Sequence, residues 1–303
     1  MLVLSQEDVR RLLDVDELID ALANAFVDVS AGRASVPPRV AALVPEKGLL
    51  AAMPGYAAGV LETKLVSVFP DHEPSHQALI AVFDPETGTP AAMMDGTYIT
   101  ATRTAAASAL STRLLAREDA SVLAILGTGV QARSHLDAVA RVRDFEEVRV
   151  AGRSREQAEA LGVTVADSFD AAVREADVVC ACTDASVPVL RRAWLASGTH
   201  VTSVGASRDG PELDEGTVRA DVLAVESRVA FEPYPSGAHE LQGLDPAAAV
   251  ELGELVAGTR PGRTSREQIT VYKSMGHAAE DAAAARLVYE RALRVGAGTE
   301  VDL

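Results

Sequence analysis

The chain has 303 residues, 48% of them hydrophobic and 24% charged, with a formal net charge of −16. That length suits roughly two domains, each with its own core, and the acidic balance argues against a nucleic-acid partner, because phosphate recognition rests on Lys- and Arg-rich surfaces. Glu7 and Asp8 fall where a signal peptide needs an apolar run, and no stretch approaches the roughly 18 apolar residues of a membrane span, so the chain reads as soluble and cytoplasmic, with no membrane partner. Cys180 and Cys182 lie two apart in one apolar run. On a strand they share a face, which makes a disulfide between them awkward, so they read as buried thiols in a reducing compartment. With no further Cys/His cluster beside them, a zinc site is not expected.

In chain order, Ser5 and Asp8 open a helix, and Val9, Leu12, Leu18, Leu22 and Phe26 recur at helical spacing, predicting two helices over Gln6 to Ser30. Val36-Pro37-Pro38-Arg39-Val40 is extended, since proline excludes helix. Strands are predicted at Leu49–Ala52, Thr63–Phe69, Ala78–Phe83 and Ala91–Met94, then a long Ala-rich helix from Tyr98 to Arg117. From Ala120 the texture alternates: strands Val122–Leu126, Val148–Ala151, Val163–Ala166, Val178–Ala181, His200–Val204 and Val222–Val225, separated by helices or loops. A helix Pro246–Val256, a strand Ile269–Tyr272 and a final helix Ala278–Arg294 end the reading. Strand–helix alternation predicts an α/β fold with a doubly wound parallel sheet.

Gly127-x-Gly129-x-x-Ala132 lies directly between a predicted strand and a predicted helix. Gly127 permits the tight turn, Gly129 lets backbone approach a pyrophosphate, and Ala132 lets helix and strand pack closely. The pyrophosphate then sits on the helix N-terminus, where N–H groups and the dipole favour anions. At the end of the next strand, NAD enzymes place an acid for the ribose 2′-hydroxyl. Here the tip reads Gly152-Arg153-Ser154-Arg155, with no acid, and Arg153 and Ser154 suit a 2′-phosphate. NADP(H) is therefore preferred, with NAD(H) open. A plainer alternative has Ser154 capping the next helix and the arginines solvated.

Three cations occupy unusual places in the first third. Lys64 interrupts the β-like run Thr63–Phe69, Arg103 sits in a helix of small residues, and Arg39 follows two prolines. Converging, they would bind the carboxylate of a small substrate. Taken singly, surface or ion-paired roles fit each equally well.

These residues carry a resemblance to the ornithine cyclodeaminase/mu-crystallin family over nearly the whole chain. Its motifs here are Met53-Pro54, Thr63-Lys64-Leu65-Val66, Pro74-Ser75-His76-Gln77-Ala78 and the run Thr100 to Ser108. Further on come Gly127 to Ala132, Val204-Gly205-Ala206-Ser207-Arg208 and Val271-Tyr272-Lys273-Ser274-Met275-Gly276. The resemblance implies a Rossmann domain, residues 118–277, inserted in a substrate-binding and dimerisation domain of residues 1–117 plus 278–303. It implies that Arg39, Lys64 and Arg103 hold a substrate carboxylate, with Met53 in the pocket. It further implies that Thr104, Gly129, Val130, Gln131, Arg153, Ser154 and Thr183 contact the dinucleotide, as Gly127 and Gly152 do in the glycine loop and strand tip. Ser75, His76, Val204 and Ser274 would line its nicotinamide end. A homodimer is the implied assembly.

Two departures bear on the reaction. Cyclodeaminases carry an Asp after the Val-Gly pair matching Val204-Gly205, where this chain has Ala206-Ser207, and an acid where Ala51 stands. Cyclodeaminases also retain tightly bound NAD, whereas the Gly152-Arg153-Ser154 tip resembles the NADPH-using mu-crystallin branch. The expected activity is hydride transfer from NADPH to the C=N of a small cyclic ketimine or imino acid, of the pyrroline- or piperideine-2-carboxylate type. Lys64 and Arg103 are the expected catalytic residues, and Lys64 or an ordered water the proton donor. An amino-acid dehydrogenase of alanine or opine type, an ornithine or lysine cyclodeaminase, and a non-catalytic binder of aromatic acids are the alternatives.

Overall fold

The structure, a computed structural model, describes residues 1–207 and 209–302; Arg208, the last residue of the Val204 motif, lies outside the described residues. The chain packs as two compact units, Met1–Arg103 with His277–Leu303, and Thr104–Gly276. The second unit is thus inserted in the first. The sequence reading ended the first segment after the long helix, at 117; by packing, the division falls inside that helix.

In the first unit a short strand β1 (Leu2–Leu4) leads into α1 (Gln6–Leu12) and α2 (Val15–Ser30). The expected helix start is a capping box: Ser5 Oγ accepts from Asp8 N and the Asp8 carboxylate accepts from Ser5 N. Leu18, Ile19, Leu22 and Phe26 of α2 are all at most 2% exposed, each contributing about 1.5–3 kcal/mol by burial. Next come β2 (Val40–Val44), β3 (Gly48–Ala57), β4 (Val60–Val68), β5 (His76–Phe83) and β6 (Pro90–Asp95), then α3 (Gly96–Leu115). β2 and the second half of β3 escaped the sequence reading because the Pro45–Gly48 and Pro54-Gly55 segments look like breaks in a β pattern.

The second unit holds β7 (Val122–Leu126), α4 (Val130–Val139), β8 (Glu147–Ala151), α5 (Arg155–Glu159), β9 (Thr164–Val165) and α6 (Phe169–Val173). It continues with β10 (Val178–Ala181), β11 (His200–Ser203), α7 (Glu215–Val218), β12 (Val222–Val225), β13 (Val250–Glu251), α8 (Leu252–Val256) and β14 (Thr270–Lys273). The chain then returns to the first unit as α9 (Ala278–Val295) and β15 (Thr299–Glu300). One expectation is corrected here: Pro246–Val256 is no single helix but a 3-10 turn, the short strand β13 and the helix α8. Val250 and Glu251 pair with Ala224 and Val225 of β12, so an edge-strand ladder outweighs local helix propensity.

The first unit's sheet has the order β15-β1-β6-β5-β4-β3-β2, antiparallel from β6 to β2. Its registers set Met53 opposite Lys64 and Gly55 opposite Glu62. Residues 51, 53, 55 and 57 of β3 and 62, 64 and 66 of β4 are buried, the period-2 signature of one covered face. The Ala-rich α9 covers β3 and β4 and packs beside α2.

The second unit's sheet runs β13-β12-β14-β11-β10-β7-β8-β9, with every neighbouring pair parallel. Cys180 and Cys182 are buried free thiols, and burial pushes the Cys180 thiol up to about 12. No described helix is long and apolar enough to cross a membrane.

Two histidines are sealed in this unit. His135 bonds Gln131 O at 2.7 Å and Ser108 Oγ at 2.9 Å; His200 bonds Thr270 Oγ1 at 2.9 Å and Ser111 Oγ at 3.2 Å. Burial, the largest cause in both, pushes them down to about 4 and about 3. Below pH 6.5 the unfolded chain takes up protons that the native chain refuses, so stability is full above 6.5 and falls with pH through the window down to about 4. The expected loss is up to about 1.4 kcal/mol per pH unit for each histidine. Urea midpoints that are equal at pH 7 and pH 5 would show this reading to be wrong.

Candidate active site

In the first unit the sequence-flagged cations meet. Lys64 on β4 is 1% exposed and Arg103 on α3 is 4% exposed. The Lys64 ammonium lies 3.0 Å from Asp281 Oδ1 and 2.8 Å from Asp281 Oδ2. Arg103 Nε stands 3.2 Å from the same Oδ1, and its Nη1 donates to Glu280 Oε2 at 2.8 Å. Arg39, half-buried, is close enough for its charge to act on Lys64 and on His277. Met53 flanks Lys64 across the β3–β4 ladder and is 4% exposed. Lys64 and Arg103 thus meet on a pair of acids that the sequence reading did not flag, with Arg39 within electrostatic reach and Met53 across the ladder.

Those acids open α9, where the helix dipole favours negative charge. The His277 side chain caps the helix, and Glu280 reaches back to accept from His277 N at 2.9 Å. Burial, with help from Arg39 and Arg103, pushes His277 down to about 4. In sequence, Glu280 and Asp281 are first-turn acids of a kind common on solvent-facing helix starts, so nothing local marks them as buried. Lys64 is pushed down to about 8, mostly by burial and then by Arg103, with Asp281 opposing. Its ammonium therefore releases a proton more readily than a surface lysine does.

Glu62 is a third acid that sequence reasoning missed. It shares the covered face of β4 with Lys64, is 2% exposed, and neither carboxyl oxygen has a hydrogen-bond partner among the described residues. Burial first and the Asp281 charge second push it up to about 9. The available signal was Glu62-x-Lys64: two ionisable residues, two apart in a β pattern, must share a face. Ser75 and His76 stand apart from this cluster. They bond each other at 3.0 Å, and His76, exposed, pairs with Val68, four residues along β4 from Lys64.

In the second unit the residues flagged for a dinucleotide, Thr104 of α3 apart, fall at the carboxyl ends of five adjacent strands, β14-β11-β10-β7-β8. That edge is where open parallel sheets bind ligands. At the end of β7, Gly127 has φ +114°, and a Cβ there would stand 2.5 Å from Cys182 O. No L side chain fits that turn. Gly129 is the N-cap of α4 and supplies no side-chain acceptor; a Cβ on it would meet nothing within 4 Å. Val130 is 62% exposed and Gln131 half-buried, its Oε1 without a partner, while Ala132 is buried against the sheet. A helix start with open space before it and no side chain of its own over its N–H groups fits a pyrophosphate. Thr104 is buried in α3.

At the end of β8, Gly152 packs on Thr128, and Thr128 Oγ1 donates to Gln157 Oε1 at 3.0 Å. Ser154 does cap α5, accepting from Gln157 N at 3.2 Å. Arg153 is 88% exposed and stands 3.3 Å from Asp184, itself 84% exposed. The remaining tips are bolted by acids absent from the sequence reading. Glu212, 1% exposed, accepts from Thr183 N and Thr183 Oγ1 at 2.7 Å each, from Ser203 Oγ at 2.7 Å and from Gly205 N at 2.8 Å. It thereby fixes the ends of β10 and β11, with Val204 between its partners. Glu226 accepts from Met275 N and Gly276 N at 2.6 Å, fixing Ser274 and the end of β14. Lys273, fully buried, pairs with Glu240 at 3.0 Å and donates to Ser203 Oγ at 3.0 Å.

A parallel sheet that opens a glycine turn onto a helix start defines the dinucleotide-binding class of α/β proteins. More narrowly, the chain belongs to the ornithine cyclodeaminase/mu-crystallin family, whose profile matches residues 1–296. It is 42% identical to the ketimine reductase mu-crystallin of Mus musculus over 95% of this chain and 96% of that one. Among solved structures, the Thermococcus litoralis Δ1-pyrroline-2-carboxylate reductase in complex with NADH and L-proline superposes with a TM-score of 0.92. The two are 38% identical over 99% of this chain and 100% of that one. An archaeal alanine dehydrogenase dimer with bound NAD gives a TM-score of 0.89 at 33% identity, over 100% of this chain and 99% of that one.

Asp281 is the carboxylate within ion-pair distance of both buried cations, so Asp281→Ala removes the anion paired with Lys64. Removing one side of a buried ion cluster costs about 3–5 kcal/mol. A loss of that size is expected in urea unfolding at pH 7, and a loss below about 1 kcal/mol would contradict the geometry described here.

Proposed function

We propose that the protein reduces the C=N bond of a small cyclic ketimine bearing a carboxylate, of the pyrroline- or piperideine-2-carboxylate type, with NADPH preferred to NADH. The observation that carries this reading is the buried pair Lys64 and Arg103, brought together on Asp281 with Arg39 close by. Likeness to a pyrroline-2-carboxylate reductase complexed with NADH and L-proline supports the same substrate class.

Gly127, Gly129, Arg153 and Ser154 at the carboxyl edge of the parallel sheet would hold the dinucleotide, which would contribute the hydride of the reduction. Each turnover also needs one proton at the imine nitrogen. Lys64, with its lowered proton affinity, is the group of this cluster best suited to lend it. Arg103 and Arg39 hold the carboxylate through charge-assisted hydrogen bonds, and Met53 supplies an apolar wall. Fixing the carboxylate fixes the orientation of the imine carbon on the same small molecule, and such prior orientation lowers the entropic part of the barrier. Ala51, buried at 3% exposure, stands where cyclodeaminases carry an acid, which favours reduction over ammonia-eliminating cyclisation.

Cofactor preference rests on Arg153. Its pairing with Asp184 is between two exposed groups, and such pairs contribute little. Arg153 is therefore ready to turn to a 2′-phosphate, with the Ser154 hydroxyl beside it. Purified protein is expected to oxidise NADPH on addition of Δ1-pyrroline-2-carboxylate, without added ammonia. Arg153→Ala is expected to raise KM about tenfold for NADPH and little for NADH, one charge-assisted hydrogen bond at a surface site being worth about 1.4 kcal/mol. A rate that requires ammonia identifies an amino-acid dehydrogenase instead, and product formed with no net cofactor oxidation identifies a cyclodeaminase.

The assembly we propose is a homodimer built on the outward face of the first unit's sheet. Val40, Leu50, Tyr56 and Leu79 point away from α9 there, at 65%, 47%, 41% and 36% exposure. A continuous apolar patch of this kind is uncommon on a monomer, and the archaeal alanine dehydrogenase neighbour is a dimer. Light scattering is expected to give twice the chain mass. Leu50→Arg combined with Leu79→Arg should return the monomer; a wild-type monomer at micromolar concentration would dispose of the proposal.

A further inference from the structure

Glu62 has no task in the chemistry above. It is a carboxyl group at 2% exposure, with neither oxygen hydrogen-bonded, on the covered face of β4 two residues from Lys64. Space for it is made on both sides. Gly55 sits opposite in the β3 ladder, and a Cβ on Gly55 would come 3.3 Å from Glu62 Oε1 and 3.1 Å from the Cβ of Ala278, the first residue of α9. The side chain thus lies in a recess between β3 and the start of α9. The charged or titratable groups acting on it are Lys64 from its own strand, Arg103 from α3 and Asp281 from α9. Glu280 and His277 share that end of α9, and Arg39 acts on Lys64 and His277.

An ionised carboxylate in such a recess would have no donor to replace its hydration, a loss of several kcal/mol. The acid form escapes most of that cost. Charge balance points the same way. With Glu62 neutral, the three cations Arg39, Lys64 and Arg103 face two carboxylates, Glu280 and Asp281; with Glu62 ionised, they face three. A carboxylate arriving beside the cluster meets a net positive charge in the first case and none in the second.

Resting on the carboxylate-binding reading of Lys64 and Arg103, we infer that Glu62 is a protonated acid which sets the charge of that site, so that anionic substrates bind only while it keeps its proton. Glu62 acts through the cluster and is a positioning residue; it transfers nothing to substrate. Burial and the Asp281 charge hold its proton up to about 9, one step above the point at which Lys64 loses its own, about 8. Above pH 9 two protonations therefore support anion binding, where an ordinary lysine–arginine site would need one.

The test compares wild type and Glu62→Gln, which is neutral at every pH. The readout is calorimetric binding of pyrrole-2-carboxylate, a planar redox-inert carboxylate, to the NADP-loaded protein from pH 7 to pH 10. For wild type the logarithm of affinity should fall above pH 9 with a slope approaching two, and for Glu62→Gln with a slope of one. Between pH 7 and pH 10 wild type should lose about tenfold more affinity than the variant. A second measurement needs no variant: binding to wild type at pH 9.5, in two buffers of different ionisation enthalpy, should take up between one and two protons. Identical slopes in the two proteins, or uptake of one proton or fewer by wild type, overturns the inference. If no carboxylate binds at pH 7, the carboxylate-site reading fails first and carries this inference down with it; turnover of the ketimine with unchanged pH slopes leaves that reading standing and removes only the role of Glu62.

Discussion

The buried carboxylate of Asp281 is the interaction on which the first unit's site depends. It lies at the start of α9, far along the chain from Lys64 and Arg103, yet accepts from Lys64 and pairs with Arg103. Two cations this deep cannot remain charged without anions beside them, because the desolvation cost far exceeds what local backbone dipoles return. The helix dipole offsets part of the cost of holding Glu280 and Asp281 together. The arrangement needs the C-terminal segment to fold back on the N-terminal sheet, which explains why the last helix belongs to the first unit.

Within the second unit the same logic appears in another form. Parallel strands leave loose carboxyl ends, and a ligand edge made of loose ends would have no fixed geometry. Glu212 accepts from the tips of β10 and β11, Glu226 from the tip of β14, and the Lys273–Glu240 pair ties Ser203 to the same patch. Each carboxylate replaces several backbone hydrogen bonds that the sheet edge cannot make. Gly127 completes the edge by a turn open only to glycine. What the sheet presents to a dinucleotide is therefore held by buried acids, none of which need touch the ligand.

The comparison of Lys64 with Lys273 shows how burial sorts identical side chains. Both are at most 1% exposed. Lys273 has an acid and a hydroxyl at 3.0 Å and reads as a strut. Lys64 shares its acid with Arg103, and burial first and that second cation next push it down to about 8. One acid shared between two bases leaves each base less fully matched than a pair of its own would.

Much of the molecule was legible from residue order. Strand–helix alternation from Ala120, the glycine spacing Gly127-x-Gly129-x-x-Ala132 and the acid-free tip at Arg153 each depend on neighbours a few residues apart, and local sequence determines such features. So do the capping boxes and the odd placement of Lys64 and Arg103. The structure alone decided that those cations meet, that Glu280 and Asp281 are buried rather than solvated, that Glu62 lies unpaired in a recess roofed by Gly55, and that Glu212 and Glu226 pin the sheet edge. It also decided that Pro246–Val256 breaks into a turn, strand and helix, because pairing with β12 overrode propensity. The physical reason is common to all of these: an ionisable side chain looks the same in sequence whether it faces water or a buried partner. Only the packing of segments distant in the chain settles which charge must be matched, and by what.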